Sequence, residues 1–131
     1  MEKPKTLHLE STTKSPEVYC NSENGEVMIK GVSILEDAVS FFTPLKEWIQ
    51  SYAQFPKNNV NFTLDMEYYN TSTSRVLLDL FRIFLPKEGD HGCKIVWFYD
   101  EDDWEMREAG EEYKLILGDT FILQSKAVNN Q

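Results

Sequence analysis

Glycine is scarce in this chain: 131 residues hold six, and none lies in a phosphate-cradling loop or a nucleophile elbow. Histidine is scarcer still. His8 and His91 stand far apart with no neighbouring nucleophile or second ligand, so neither builds a catalytic or metal constellation. The two cysteines, Cys20 and Cys93, have no CxxC or metal-type spacing and read as reduced thiols, packed or incidental. Positive charge is also short, with 13 Lys and Arg against 22 Asp and Glu and a formal net charge of −9. That balance argues against nucleic acid and against anionic membrane surfaces, which both need a basic face, and points to proteins as partners. No apolar run approaches the ~20 residues that cross a bilayer. Met1-Glu2-Lys3-Pro4-Lys5 lacks the apolar stretch of a signal peptide, which makes the cytoplasm the expected compartment. The sequons Asn61-Phe62-Thr63 and Asn70-Thr71-Ser72 would matter only in a secreted chain.

What is present suits one globular domain over residues 1–131 with a modest core: 41% of residues are hydrophobic, and no repeat or linker divides the chain. An ordered core of about 6–125 is expected. Short extended pieces fall at Leu7 to Glu10, Glu17 to Cys20 and Glu26 to Lys30, the last two joined as a hairpin through Asn21-Ser22-Glu23-Asn24-Gly25. Ala38, Phe42, Leu45, Ile49 and Tyr52 recur at helical spacing, predicting an amphipathic helix over 36–52. Pro44 lies inside it. Either the helix bends there, or Thr43 caps a fresh helix with Pro44 at its first position. Val60 to Tyr68 alternates apolar and polar residues without a fault, a strand with one buried face. Val76, Leu77, Leu80, Phe81 and Phe84 then predict a helix. Cys93 to Tyr99 reads as a dense strand, Asp103 to Leu117 as a helix and Thr120 to Gln124 as a last strand.

This order is α/β, with parallel neighbours and right-handed crossovers in its later part. The polar positions Asn61, Thr63, Asp65 and Glu67 argue against helices on both sheet faces, since a doubly covered strand is apolar throughout. The expectation is a two-layer sandwich: a mixed sheet with an N-terminal hairpin and helices mainly on one face. In such sheets functional groups gather at the carboxyl ends of the strands.

One such end carries Thr71-Ser72-Thr73-Ser74 between the strand at 60–68 and the helix that follows. A single hydroxyl suffices to cap a helix, and a cap is worth about 1 kcal/mol. Four exceed that need, and a phosphate there would meet orphan N–H groups and the positive end of the helix dipole. On the residues alone, cap and regulatory site both stay open. The acidic run Asp100-Glu101-Asp102-Asp103-Trp104-Glu105 lacks the calcium-loop pattern and fits a solvated helix start. Trp48, Trp97 and Trp104 read as core or rim packing.

Three stretches together resemble the SiaC family of bacterial regulatory phosphoproteins, whose fold is like that of the STAS anti-sigma-factor antagonists. They are Gly31-Val32-Ser33-Ile34-Leu35-Glu36-Asp37-Ala38 leading into Phe41 to Trp48, Tyr68 to Arg75 with Asp79 and Phe81, and Trp97 to Asp103 followed by Met106 and Glu108 to Tyr113. The resemblance spans about residues 15–124. It implies a non-enzymatic, cofactor-free and metal-free protein phosphorylated on Thr71 by a serine/threonine kinase and dephosphorylated by a phosphatase. The unphosphorylated form would bind and activate a diguanylate cyclase, raising cyclic di-GMP. Asn70, Thr71, Ser72, Arg75 and Glu36 would then meet the partner, with Arg75 placed to pair with the phosphate.

The chain departs from the family pattern in places. Ile34-Leu35 stand where Tyr-Pro is usual and Asp37 where Asn is usual, so the loop opening the first helix would contact partners differently. Thr73-Ser74 replace a Ser followed by an apolar residue, which leaves Ser72 and Thr73 as alternative acceptors. Two other functions remain: a STAS-type anti-sigma-factor antagonist in a partner-switching pathway, and a hydrolase built on the acidic cluster, for which no constellation is present.

Overall fold

The computed structural model describes residues 4–54, 60–83 and 94–127, so the expectations for Phe84, His91 and Cys93 lie outside the described residues. Among the described residues six strands form one sheet in sequence order: β1 (Leu7–Leu9), β2 (Glu17–Asn21), β3 (Glu26–Ser33), β4 (Asn61–Tyr69), β5 (Lys94–Asp100) and β6 (Phe121–Lys126). The first two pairings are antiparallel and the last three parallel. Helices α1 (Ala38–Tyr52), α2 (Thr71–Ile83) and α3 (Trp104–Leu117) make the crossovers, and a short 3-10 turn, Gly118–Thr120, leads into β6. This is the expected mixed α/β sheet with an N-terminal hairpin.

Alternation decides which sheet face is covered. Val18, Cys20, Val27, Ile29, Phe62, Leu64, Ile95, Trp97 and Phe121 are all fully buried on the helix side, whereas Lys30, Lys94 and Gln124 of the other face are exposed. Strands apolar on one side only can bury only that side, and the result is two layers. Aromatic rings fill the centre: Phe81 of α2 meets Trp97, Tyr113 and Phe121 with centroids 6.4, 5.1 and 5.5 Å away. The approach of α3 depends on Gly110, where a Cβ would come within 2.4 Å of Leu123 Cδ2 and 2.6 Å of Trp97 Cδ1.

Two local departures have clear causes. α1 begins at Ala38 rather than at Glu36, because Asp37 caps it by accepting from the Ser40 N–H at 3.1 Å. It runs unbroken through Pro44, so no fresh helix starts there. Thr43 donates its hydroxyl to Val39 O (2.7 Å), bonding a carbonyl one turn back instead of acting as a cap.

The second departure corrects the faultless alternation of β4. Gly31 pairs with Met66, but the next residue, Val32, pairs with Tyr68, so Glu67 is an extra residue that bulges the strand. The bulge reverses the phase. Tyr68, on the buried face by alternation, is 54% exposed, and Tyr69 turns inward against Trp97 with centroids 5.8 Å apart. Among the described residues no helix is long and apolar enough to cross a membrane.

Candidate functional site

The hydroxyl run occupies the first turn of α2, at the carboxyl end of β4. Its cap is not a hydroxyl. Asn70 Oδ1 accepts from the Thr73 N–H at 3.1 Å and from the Thr73 hydroxyl at 2.8 Å, and Asn70 O takes the first helical bond, from Ser74 N, at 3.0 Å. Asn at this position leaves four hydroxyls free for other work.

Their surroundings differ sharply. Thr73 is fully buried, and since its one proton goes to Asn70, the hydroxyl of Ser33, also fully buried, donates to Thr73 Oγ1 at 2.7 Å. Ser72 is half-buried and donates to Leu35 O at 3.0 Å, the same carbonyl that accepts from Asn70 Nδ2 at 2.9 Å. Ser74 is half-buried against Tyr113, whose hydroxyl donates to Ser74 O at 2.9 Å while the Ser74 and Tyr113 hydroxyls lie 3.0 Å apart. Burial raises the Tyr113 phenol and pushes the Tyr69 phenol well above the ordinary tyrosine range. Thr71 alone of the four is exposed, and no described residue bonds its hydroxyl.

Of the sequence-derived positions, Asn70, Ser72 and Arg75 lie within about one helical turn of it. Arg75 is exposed four residues further along α2, about one helical turn away. It makes no ion pair among the described residues and lines a cleft of about 190 Å³ with Tyr69, Ser74 and Glu112. Glu36 is exposed beside Leu35, whose carbonyl is tied to the corner by Asn70 and Ser72. Glu67, four residues before Thr71 at the bulge of β4, is exposed as well. The loop after β3 and the first turn of α2 are therefore held as one surface.

Nothing in the sequence singles out Ser33, and Thr73, an alternative acceptor by its hydroxyl, is instead fully buried; it stands three and four residues before Val76 and Leu77. That spacing places it on the apolar face of the helix, the signal that would have revealed its burial.

Other candidates settle elsewhere. Asp103 caps α3 by accepting from Met106 N at 3.1 Å, which accounts for the acidic run as a helix start. Trp97 is in the core with Nε1 donating to Met106 O at 3.0 Å, and Trp48 is buried with Nε1 donating to Lys5 O at 2.8 Å. Trp104 is not packed in the core but 68% exposed, with Arg107 over its ring at 5.7 Å. His8 pairs with Glu17 at 2.9 Å on the first hairpin. Cys20 is fully buried, and the loss of hydration there pushes its thiol up to about 12.

A mixed sheet covered by helices on one face, with a helix-start corner tied across the ends of β3 and β4, defines the class of two-layer α/β domains. Within that class the chain belongs to the SiaC family: the sequence model described as SiaC family regulatory phosphoprotein matches residues 9–126. A protein of Pseudomonas aeruginosa (strain UCBPP-PA14), itself uncharacterised, is 21% identical over 120 residues, which cover 91% of this chain and 95% of that protein. The crystal structure of apo-SiaC from Pseudomonas aeruginosa superposes with a TM-score of 0.79 at 18% identity, covering 95% of this chain and all of that one. SiaC in the complex of the diguanylate cyclase SiaD with its activator SiaC, from the same organism, gives 0.82 at 20% identity over 93% and 99% of the two chains. At such identities the structural likeness speaks to the fold alone.

Proposed function

We propose that this chain is a non-enzymatic cytoplasmic signalling protein that binds and regulates a diguanylate cyclase while unphosphorylated and lets go when a kinase phosphorylates Thr71; a phosphatase resets it. The observation that carries the reading is the exposure of Thr71, with a free hydroxyl, at the start of α2, while Thr73 is buried and Ser72 and Ser74 are engaged. A kinase needs a reachable oxygen, and this fold offers one. Membership of a family of regulatory phosphoproteins supports the modification, and the activator role of a structural neighbour toward a diguanylate cyclase supports the partner.

Phosphate on Thr71 would add about −1.5 to −2 charges to a surface that already carries Glu36 and Glu67. It would sit at the positive end of α2 with Arg75 in reach, so the modified corner is stable by itself and hostile to an acidic or desolvated contact. Asn70 and Ser72, through Leu35 O, carry the change to the loop bearing Ile34 and Glu36.

Intact mass and fragmentation of protein from its host would locate the phosphate, and cyclase binding would be measured for Thr71→Val and Thr71→Glu. Phosphate on Thr71 and a Thr71→Glu affinity at least about tenfold below that of Thr71→Val are expected. Equal affinities, or phosphate only on another residue, would overturn the reading.

A further inference from the structure

The uncovered sheet face carries its own pattern, unrelated to the corner. Register places Tyr19, Met28, Thr63, Val96 and Ile122 in one row across β2 to β6. Four interstrand spacings make this row about 19 Å wide. No described element covers it, and Ile122 is 37% exposed. The row two residues toward one end of the strands holds Glu26 and Lys94, and the row two residues toward the other holds Glu17, Lys30 and Asp65. With Lys126, which bonds Asp65 at 2.6 Å, the area around the apolar row has three acids and three lysines, and Asp100 at its rim adds one acid. A chain of net charge −9 repels its own copies over most of its surface, but not here.

We infer that this face is the interface of a homodimer. A two-fold axis lying along the apolar row and crossing the strands sets Met28, Val96 and Ile122 each over its own copy. Because Glu26 and Lys30 lie two residues to either side of Met28, the same axis brings Lys30 of one protomer over Glu26 of its partner, twice. Both side chains are exposed, and neither forms an ion pair within its own chain among the described residues. Two sheets stacked about 10 Å apart in this way make a four-layer assembly with the Thr71 corners outside the contact.

Sedimentation velocity of the full chain from about 1 to about 500 µM tests this, because dimerisation is concentration-dependent. A monomer–dimer equilibrium is expected, weakened at least about tenfold by Ile122→Glu and by Lys30→Glu, each of which acts twice in the symmetric contact. The double charge exchange Lys30→Glu with Glu26→Lys restores association to within about threefold of the original chain. Circular dichroism of each variant checks that the fold is intact. A chain that stays monomeric throughout, a dimer indifferent to both single substitutions, or a charge exchange without rescue overturns the proposal. None of these outcomes bears on Thr71.

Discussion

Replacing Thr73 by Val removes a buried hydroxyl and almost nothing else, since the two side chains share a shape. Thr73 Oγ1 donates to Asn70 Oδ1 at 2.8 Å and accepts from Ser33 at 2.7 Å, with Ser33 and Thr73 both fully buried. The two lost bonds are worth about 0.5 to 1.5 kcal/mol each, and the Ser33 hydroxyl is left buried without an acceptor at a cost of about 1 to 3 kcal/mol. The gain from an added apolar methyl offsets about 0.8 kcal/mol of this. The expected loss is therefore about 2 to 4 kcal/mol, read as a lower midpoint in urea at unchanged slope. Ser33→Ala alone loses one bond, about 1 kcal/mol, and orphans little because Thr73 keeps Asn70. In Ser33→Ala with Thr73→Val the orphan disappears and the shared bond is lost once rather than twice, so the pair should cost about 1.5 to 4.5 kcal/mol less than the sum of the single changes. Thr71→Val, at an exposed and unbonded hydroxyl, stays within about 0.5 kcal/mol. A Thr73→Val loss under about 0.5 kcal/mol, or strictly additive single changes, would refute the buried hydroxyl chain and with it the argument that Thr73 is structural.

Two further outcomes follow from burial elsewhere. Gly110→Ala forces a Cβ to within 2.4 Å of Leu123 Cδ2 and 2.8 Å of Trp97 Nε1. Overpacking of about 1 to 3 kcal/mol is only partly offset by the better helix propensity of Ala, and thermal unfolding with near-ultraviolet circular dichroism should show a lower Tm and a disturbed Trp97 signal. For Cys20 the folded value of about 12 exceeds the ordinary 9.0, so above pH 9 the unfolded chain loses a proton that the folded chain keeps, and stability falls as pH rises. The slope is at most about 1.4 kcal/mol per pH unit, and the loss totals about 4 kcal/mol by pH 12. Tyr52, Tyr69 and Tyr113 start from an ordinary value of 10.0 and steepen the same fall, so the thiol is read by difference: between pH 9 and 10 the urea midpoint of Cys20→Ala should fall less steeply than that of the original chain. An equal slope in Cys20→Ala would remove the thiol as its source.

Repeating patterns were legible in the sequence, and single-residue events were not. The periods of β4 and α2 placed the strand, the corner and the helix because each is supported by several residues that agree, such as Phe62, Leu64 and Met66 on one face. The bulge at Glu67 needs one extra residue and leaves the composition unremarkable, yet it decides that Tyr69 rather than Tyr68 packs on Trp97. The corner shows the same division. A run of hydroxyls declared that something happens there, but which hydroxyl does what depends on the 100° turn per residue of α2, which points Thr73 inward and Thr71 out. The contribution of Asn70 was visible only as a residue type favoured at caps; that it would also hold Leu35, thirty-five residues back, required the parallel pairing of β3 with β4 that brings both strand ends together. That long-range contact gives the corner its consequence beyond α2. A capping hydroxyl would have stabilised the helix alone, whereas an amide that caps with its oxygen and ties the neighbouring loop with its nitrogen couples the loop to the helix start, the route by which the proposed modification of Thr71 would reach Ile34 and Glu36.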